Sequence, residues 1–187
     1  MKKIVFFDID GTLLDHEKKL PNSTKKAIQL LKENGVFVAI ARGRAPFMFT
    51  NLKKELDIDS FVSFNGQYVV FENEAIYKNP LNQTELERFL KDTTHNEHPL
   101  IFMNQLTMKA TTKFHPYIES SMDSLLFPHP DEDQSFFVHN EIYQSLLFCK
   151  EDEEKLYFEN YPEFDFIRWH PYSVDILPKG GSKAEGI

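Results

Sequence analysis

The sequence predicts an α/β fold, a doubly wound, Rossmann-like parallel sheet that carries an inserted α+β domain. Three short apolar runs alternate with two helical patterns in the first 64 residues, and the hydrophobic pattern changes after Tyr68. We assign residues 1–80 and 176–187 to the core and residues 81–175 to the insertion. With 187 residues and 41% hydrophobic content, the chain can bury a normal core.

The first strand and helix of the core have clear boundaries. Lys3 to Phe7 is apolar on both faces, as expected of a central parallel strand, and the polar segment Asp8 to Thr12 ends it. Pro21-Asn22-Ser23 starts a helix, and Gly35 stops it. The later core elements are a strand at Val36 to Ala41, a helix from Pro46 to about Leu56, a strand at Phe61 to Phe64, a hairpin of Tyr68 to Phe71 with Ala75 to Tyr77, and a return strand at Val174 to Leu177.

The insertion shows mixed helix and strand patterns, which indicate a sheet of its own. Its predicted helices are Thr84 to Lys91, Pro116 to Leu126 and Glu151 to Asn160, and its predicted strands are Leu100 to Met103, Thr107 to Thr111 and Ser145 to Cys149. Near its end lie Arg168, Trp169, His170 and Tyr172. These residues either bind a substrate or serve ordinary strand and interface packing.

Composition narrows the function classes. The 29 acidic and 21 basic residues give a net charge of -8, which opposes binding to nucleic acid and offers no basic patch for a membrane. No apolar stretch reaches membrane-spanning length. The single cysteine, Cys149, excludes an internal disulfide and fits a reducing cytoplasm. We therefore expect a cytoplasmic protein whose partner is a small molecule.

Asp8-Ile9-Asp10-Gly11-Thr12 is the segment that carries chemistry. Residues two apart project to the same side of an extended segment, so both carboxylates can converge on one point. Their repulsion calls for a cation, and Mg²⁺ is held by carboxylate oxygens. One aspartate can then attack phosphorus while the other exchanges a proton with the leaving oxygen and with water. The alternative is an acidic turn in which both carboxylates are solvated.

This segment resembles the first motif of haloacid dehalogenase phosphatases, and Val38 to Arg44 looks like their second. Phe64-Asn65-Gly66 and Ile176 to Lys183 are similar to further signatures of the Cof-type branch, in which a large α+β cap is inserted between the second and third motifs. The resemblance implies that Mg²⁺ is the cofactor and that a small phosphorylated metabolite is the substrate.

The resemblance also implies a role for each matching residue. Asp8 is expected to be the nucleophile and Asp10 the general acid and base, with both binding the metal, Asp10 by its backbone carbonyl. Lys183 is expected to neutralise the nucleophile and the phosphoryl oxygens. The expected substrate-binding residues are Gly11, Thr12, Arg42, Gly43, Arg44, Asn65 and Gly66. Without the resemblance, Lys183 reads as a solvated lysine, and Asn65-Gly66 reads equally well as a hairpin turn.

Two departures from the family pattern stand out. The family usually has threonine or serine where this chain has Arg42, and the arginine either clamps phosphate, fills the pocket or turns outward. Arg44 reaches the substrate or pairs with an acid. The family's fourth, acidic motif should follow Lys183, but the sequence ends at Ile187. We therefore expect a truncated enzyme of weak or no activity, with an exposed sheet edge suited to self-association.

Together these observations predict a Mg²⁺-dependent phosphatase that acts through an aspartyl phosphate. A phosphomutase on the same core, or a phosphate-binding module without catalysis, are the alternatives. The sequence does not identify the phosphate ester.

Overall fold

The computed structural model describes residues 3–187, which form two compact units. The first unit comprises the chain up to Lys78 together with Ser182–Ile187, and the second comprises Asn79–Gly181. The sequence analysis placed the boundaries after residues 80 and 175, so residues 79–80 and 176–181 lie in a different unit from the one expected.

The first unit contains a five-stranded sheet whose strand order follows the sequence. The first three strands are parallel, with Val5 opposite Val38 and Ile40 opposite Phe61, and helices connect them as predicted for an α/β core. The elements are β1 (Lys3–Phe7), α1 (Asn22–Glu33), β2 (Val36–Ala41), a 3₁₀ turn (Pro46–Phe49) leading into α2 (Thr50–Leu56), β3 (Ser60–Ser63), a 3₁₀ turn (Phe64–Gly66), β4 (Tyr68–Phe71), β5 (Glu74–Lys78) and the C-terminal helix (Lys183–Gly186).

The end of α1 shows how the sequence sets the spacing between β1 and β2. Gly35 follows the helix with a φ of +73°, and its amide donates to the Lys32 carbonyl at 2.9 Å. Glycine adopts this left-handed conformation without steric cost, so the chain can leave the helix and enter β2 at Val36. The predicted stop at Gly35 is confirmed.

The hairpin predicted after Tyr68 is confirmed. β4 and β5 pair antiparallel, with Tyr68 opposite Lys78. The turn residues Glu72 and Asn73 both have positive φ values, of 48° and 66°. Two consecutive left-handed residues match the twist of the flanking strands, which is why such turns are common in two-residue hairpins.

The second unit contains its own five-stranded sheet, in which all neighbouring strands are antiparallel. Phe89 lies at the centre of an aromatic cluster and meets Tyr157, Tyr161 and Phe164 edge-on at centroid distances of 5.4, 4.8 and 5.6 Å. The elements are α3 (Gln83–His95), β6 (Leu100–Met103), β7 (Met108–Ala110), α4 (Pro116–Ser124), α5 (Phe136–His139), β8 (Gln144–Leu147), α6 (Lys155–Phe158), β9 (Phe164–His170) and β10 (Ser173–Pro178), and the sheet order is β7-β6-β8-β10-β9.

The interpretation of Val174 to Leu177 as a return strand of the core is wrong. These residues belong to β10, which lies between β8 and β9, with Val174 opposite Leu147 and Ile176 opposite Phe166. Both Val174 and Ile176 are fully buried in the second core. An apolar run predicts a buried strand but does not say which sheet the strand joins, and β9, its hairpin partner, was missed because Asp165 and Arg168 interrupt its apolar pattern.

β10 also places a carboxyl group inside the second unit. Burial raises the pKa of Asp175 to about 7, and the neighbouring Gln144 and Trp169 side chains lower it by less. The unfolded chain has the ordinary aspartate pKa, near 4. Between these two values only the folded state holds the proton, so stability falls as the pH rises.

We expect Asp175→Asn to remove this pH dependence. In the wild-type chain, this group should lower the free energy of unfolding by up to about 1.4 kcal/mol per pH unit between about pH 4 and pH 7. Trp169, the single tryptophan, lies beside Asp175, so its fluorescence can follow urea unfolding of this unit at pH 5 and pH 8. The free energy of unfolding should fall less between pH 5 and pH 8 in the variant than in the wild type. Equal decreases would contradict the raised pKa of Asp175.

Candidate active site

The two aspartates of the first motif lie where β1 ends. The turn that follows is anchored by Ile9 and Leu13, which are 6% and 1% exposed, and the Ile9 carbonyl accepts from the Leu13 amide at 3.0 Å. Gly11 completes the turn with a φ of +72°. Because the apolar residues at 9 and 13 point inward, Asp8 is left half-buried and Asp10 exposed.

Arg42 joins the two carboxylates. It follows β2, and its amide donates to the Val62 carbonyl at 2.8 Å, which extends the pairing of β2 with β3. Its Nη1 donates to Asp8 Oδ2 at 3.0 Å, and its Nη2 donates to Asp10 Oδ2. Asp8 and Asp10 therefore converge on a single guanidinium group, and Arg42 is turned into the site rather than outward.

Two further cations complete the cluster. Lys183 Nζ lies 3.0 Å from Asp8 Oδ1, and Arg44 Nη2 lies 3.3 Å from Asp10 Oδ2. Lys183 thus approaches Asp8 from a segment 175 positions further along the chain. The cluster contains three positive and two negative groups, so it carries a net charge of +1 in a chain whose total charge is -8.

The electrostatics at Arg44 reflect this crowding. Burial lowers the pKa of Arg44, and the neighbouring Arg42 lowers it further, whereas Asp10 and Asp8 act in the opposite direction. An arginine keeps its charge in spite of such a shift. In the structure Arg44 pairs with an acid, Asp10, and its expected contact with the substrate stays a prediction.

Asn65 packs against the loop that carries the two arginines. Its φ and ψ of 53° and 38° are left-handed, a conformation that asparagine tolerates better than most residues. Its amide donates to the Arg42 carbonyl at 3.4 Å. A Cβ at Gly43 would lie 2.8 Å from Asn65 Oδ1, so a larger residue there would require the Asn65 side chain to move. The segment also links β3 to β4, so it serves both as the turn and as a neighbour of the site.

Gly66 brings the C-terminal helix to the site. A Cβ at this position would lie 2.1 Å from the Ser182 carbonyl oxygen, and a Cβ at Gly186 would lie 2.9 Å from the Gly66 Cα. The two backbones therefore touch, and this contact places Lys183 beside Asp8. Sequence analysis missed Gly186, and its only signal was a further glycine three residues after Lys183.

The other two predicted substrate-binding residues, Gly11 and Thr12, lie in the exposed turn after β1. Within residues 3–187 the Thr12 side chain makes no hydrogen bond to the charged cluster, and its amide faces the Ile9 carbonyl at 3.4 Å. In the second unit, Arg168 pairs with Glu154 and donates to the carbonyls of His170 and Pro171.

The donor set is compatible with Mg²⁺. Asp8 and Asp10 offer hard carboxylate oxygens, and Mg²⁺ in proteins is commonly held by one or two carboxylates together with water and phosphate oxygens. Across the part of the chain that the structure describes, no three His, Cys, Asp or Glu side chains are grouped so as to hold a metal. The pair therefore fits an ion that takes its other ligands from water or substrate.

Comparison with known proteins agrees with this geometry. A family model for haloacid dehalogenase-like hydrolases matches residues 5–187. The chain belongs to this family. It is 50% identical over 185 residues to the candidate phosphatase YkrA of Bacillus subtilis (strain 168), covering 99% of this chain and 72% of that protein.

Two solved structures match almost the whole chain. A hypothetical protein from Geobacillus kaustophilus HTA426 shares 56% identity with a TM-score of 0.96, over 100% of this chain and 73% of that one. BT4131, a sugar phosphatase of subclass IIB of the superfamily, shares 28% identity with a TM-score of 0.79, over 99% of this chain and 73% of that one. The resemblance, the α/β fold class and the assignment as a phosphatase-type enzyme are confirmed.

No helix within residues 3–187 combines the length and the apolar character needed to cross a bilayer. This finding agrees with the absence of apolar stretches of membrane-spanning length in the sequence.

We expect Gly66→Ala to destabilise the first unit more than Gly35→Ala does. Both glycines have positive φ, so both substitutions should cost about 1 kcal/mol for the backbone conformation. Gly35 has open space around it, whereas an alanine at 66 overlaps the Ser182 carbonyl and should cost roughly 1–3 kcal/mol more. Denaturant unfolding followed by circular dichroism measures the free energy of unfolding of both variants. Equal losses of stability would show that Gly66 does not contact the Ser182 carbonyl closely.

Proposed function

We propose that this chain hydrolyses a small phosphate monoester with Mg²⁺ through an aspartyl phosphate on Asp8, as a Cof-type member of its family. The observation that carries the proposal is the environment of Asp8. Its carboxylate lies at the end of β1, with Lys183 on one oxygen and Arg42 on the other, both at 3.0 Å. A phosphoryl group that reaches Asp8 therefore meets positive charge on two sides.

The charge of the cluster favours a phosphate ligand. Arg42, Arg44 and Lys183 give the site a net positive charge, which offsets the repulsion that a chain of net charge -8 exerts on an anion. Arginine also matches phosphate oxygens with paired N–H donors, and hydrogen bonds between charged partners are stronger than neutral ones.

Asp8 is the proposed nucleophile. One of its carboxylate oxygens bonds to phosphorus as the bond from phosphorus to the ester oxygen breaks. Lys183 neutralises charge on Asp8 and on the phosphoryl oxygens beside it. In the second half of the reaction, water attacks phosphorus, the bond between phosphorus and the Asp8 oxygen breaks, and the carboxylate is regenerated.

Asp10 is the proposed proton carrier. In its protonated form it gives a proton to the leaving ester oxygen, and it then takes a proton from the attacking water, so that its state is restored over one cycle. Its position supports this role, because Asp10 shares the guanidinium of Arg42 with Asp8 and so lies beside the nucleophile.

Mg²⁺ would be held by the Asp8 side chain and by the Asp10 backbone carbonyl, and it supplies charge neutralisation for the phosphoryl oxygens. A sugar phosphate or a similar metabolite is the proposed substrate class, supported by the sugar phosphatase among the similar structures. The free, buried Cys149 supports a location in the reducing cytoplasm. The edge strand β1, with Lys3 and Ile4 exposed, supports self-association as the proposed partner interaction.

A phosphate-binding module without catalysis is the second candidate. The observation that favours it is that both carboxylates are already paired with cations and that no third acidic group joins them among the described residues. Such a module binds phosphate through Arg42, Arg44 and Lys183 but releases none from an ester.

We expect Asp8→Asn to abolish Mg²⁺-dependent phosphate release from an aryl phosphate such as p-nitrophenyl phosphate. Loss of the nucleophile should lower the rate by at least about a hundredfold, because the amide cannot form the covalent intermediate. The matched control is Asp57→Asn, since the Asp57 side chain is fully exposed and its left-handed backbone suits asparagine.

The measurement is phosphate release by the purified chain with and without Mg²⁺, together with binding of inorganic phosphate by calorimetry. The proposal requires release in the wild type and the control but not in Asp8→Asn. Phosphate binding by a wild-type chain that releases no phosphate from the ester would instead support the binding module.

A further inference from the structure

Arg42 is the least exposed of the charged groups in the cluster. Its side chain is 15% exposed, compared with 37% for Asp8 and 39% for Asp10. Its two terminal nitrogens contact different carboxylates, so the guanidinium lies between them. Arg42 therefore occupies the Asp8 oxygen that a metal ion bound there would need.

We propose that Arg42 is an internal counterion that pairs with the carboxylates of Asp8 and Asp10, so that a divalent cation reaches Asp8 Oδ2 only by displacing it. The inference rests on the proposed function, because it takes Mg²⁺ as the ion that the Asp8 carboxylate binds. It concerns the one position at which this chain carries arginine in place of the hydroxyl residue that the family pattern leads one to expect.

The backbone keeps Arg42 at this position. Its amide donates to the Val62 carbonyl and its carbonyl accepts from the Asn65 amide, so it is held on both sides. The Asn65 side chain lies against Gly43, where an added Cβ would come within 2.8 Å of Asn65 Oδ1. Displacement therefore requires the side chain to rotate away from the carboxylates, and both of its ion pairs break together.

The charges of the cluster indicate the direction of the effect. With Arg42 present, three cations face two carboxylates, so Mg²⁺ enters a site that is already positive. With a neutral residue at position 42, Arg44 and Lys183 balance the carboxylates, and Asp8 Oδ2 loses its only cation described here. Coulomb repulsion and competition for Asp8 Oδ2 both weaken the binding of Mg²⁺ when Arg42 is present.

The test is calorimetric titration of the purified chain with MgCl₂. Arg42→Thr should bind Mg²⁺ at least tenfold more tightly than the wild type, and Arg42→Gln, a larger neutral replacement, should behave likewise if the threonine variant fails to fold. The matched control is Arg88→Thr, because Arg88 pairs with Glu85 and Glu163 and with no residue of the cluster. Circular dichroism verifies that each variant is folded.

A second variant separates this inference from the proposed function. The tighter binding should disappear in the double variant Arg42→Thr and Asp8→Asn, because Asp8 provides the metal ligand. Equal affinities in wild type and Arg42→Thr, both lost on Asp8→Asn, would overturn the counterion role and leave the metal site intact. If no variant binds Mg²⁺, both the inference and the metal part of the proposed function fail.

Thermal unfolding provides an independent readout. A ligand that binds the folded state raises the melting temperature, and at equal concentration a tighter ligand raises it more, so MgCl₂ should raise that of Arg42→Thr more than that of the wild type. Arg42→Lys should fall between the two, since a lysine keeps the charge but cannot contact both carboxylates with a planar fork. Identical shifts in all three proteins would contradict the proposal.

Discussion

The repulsion between the carboxylates of Asp8 and Asp10 is the constraint on which the rest of the site depends. Two like charges about 5 Å apart repel by roughly 3 kcal/mol at an effective dielectric near 20. The chain holds them together by surrounding them with Arg42, Arg44 and Lys183, which reach the pair from two different segments. The need to neutralise these two carboxylates therefore determines which side chains surround them.

The fold brings these charges together in two ways. Two parallel strands end at the same edge of the first sheet, and the backbone at Gly66 contacts the backbone at Ser182. β1 and β2 are parallel neighbours, so the residues that follow them, Asp8 and Arg42, emerge side by side. The C-terminal helix reaches the same edge through the glycine contact between position 66 and Ser182. A side chain at position 66 would push the helix away, and Lys183 would leave Asp8.

Sequence reasoning located the first unit well because its signals are local. The apolar run that ends in polar residues located both the strand at Phe7 and the site at Asp8. The strand itself is an edge strand whose residues are at most half-buried, and the expectation of a central strand is wrong. The strand Val174 to Leu177 was placed in the wrong sheet because pairing partners are not encoded in a strand's own apolar pattern. The direction of the Arg42 side chain likewise depends on groups more than thirty residues away.

Arg42 and Lys183 both neutralise Asp8, but they place different demands on the site. Lys183 is 43% exposed and makes one ion pair within residues 3–187, so moving its side chain breaks one such contact. Arg42 is largely buried and pairs with both carboxylates, so it gives up two contacts when it moves. On the proposed function, its charge would attract an incoming phosphate and oppose a divalent cation, so a neutral residue at position 42 would change the affinities for these two ligands in opposite directions.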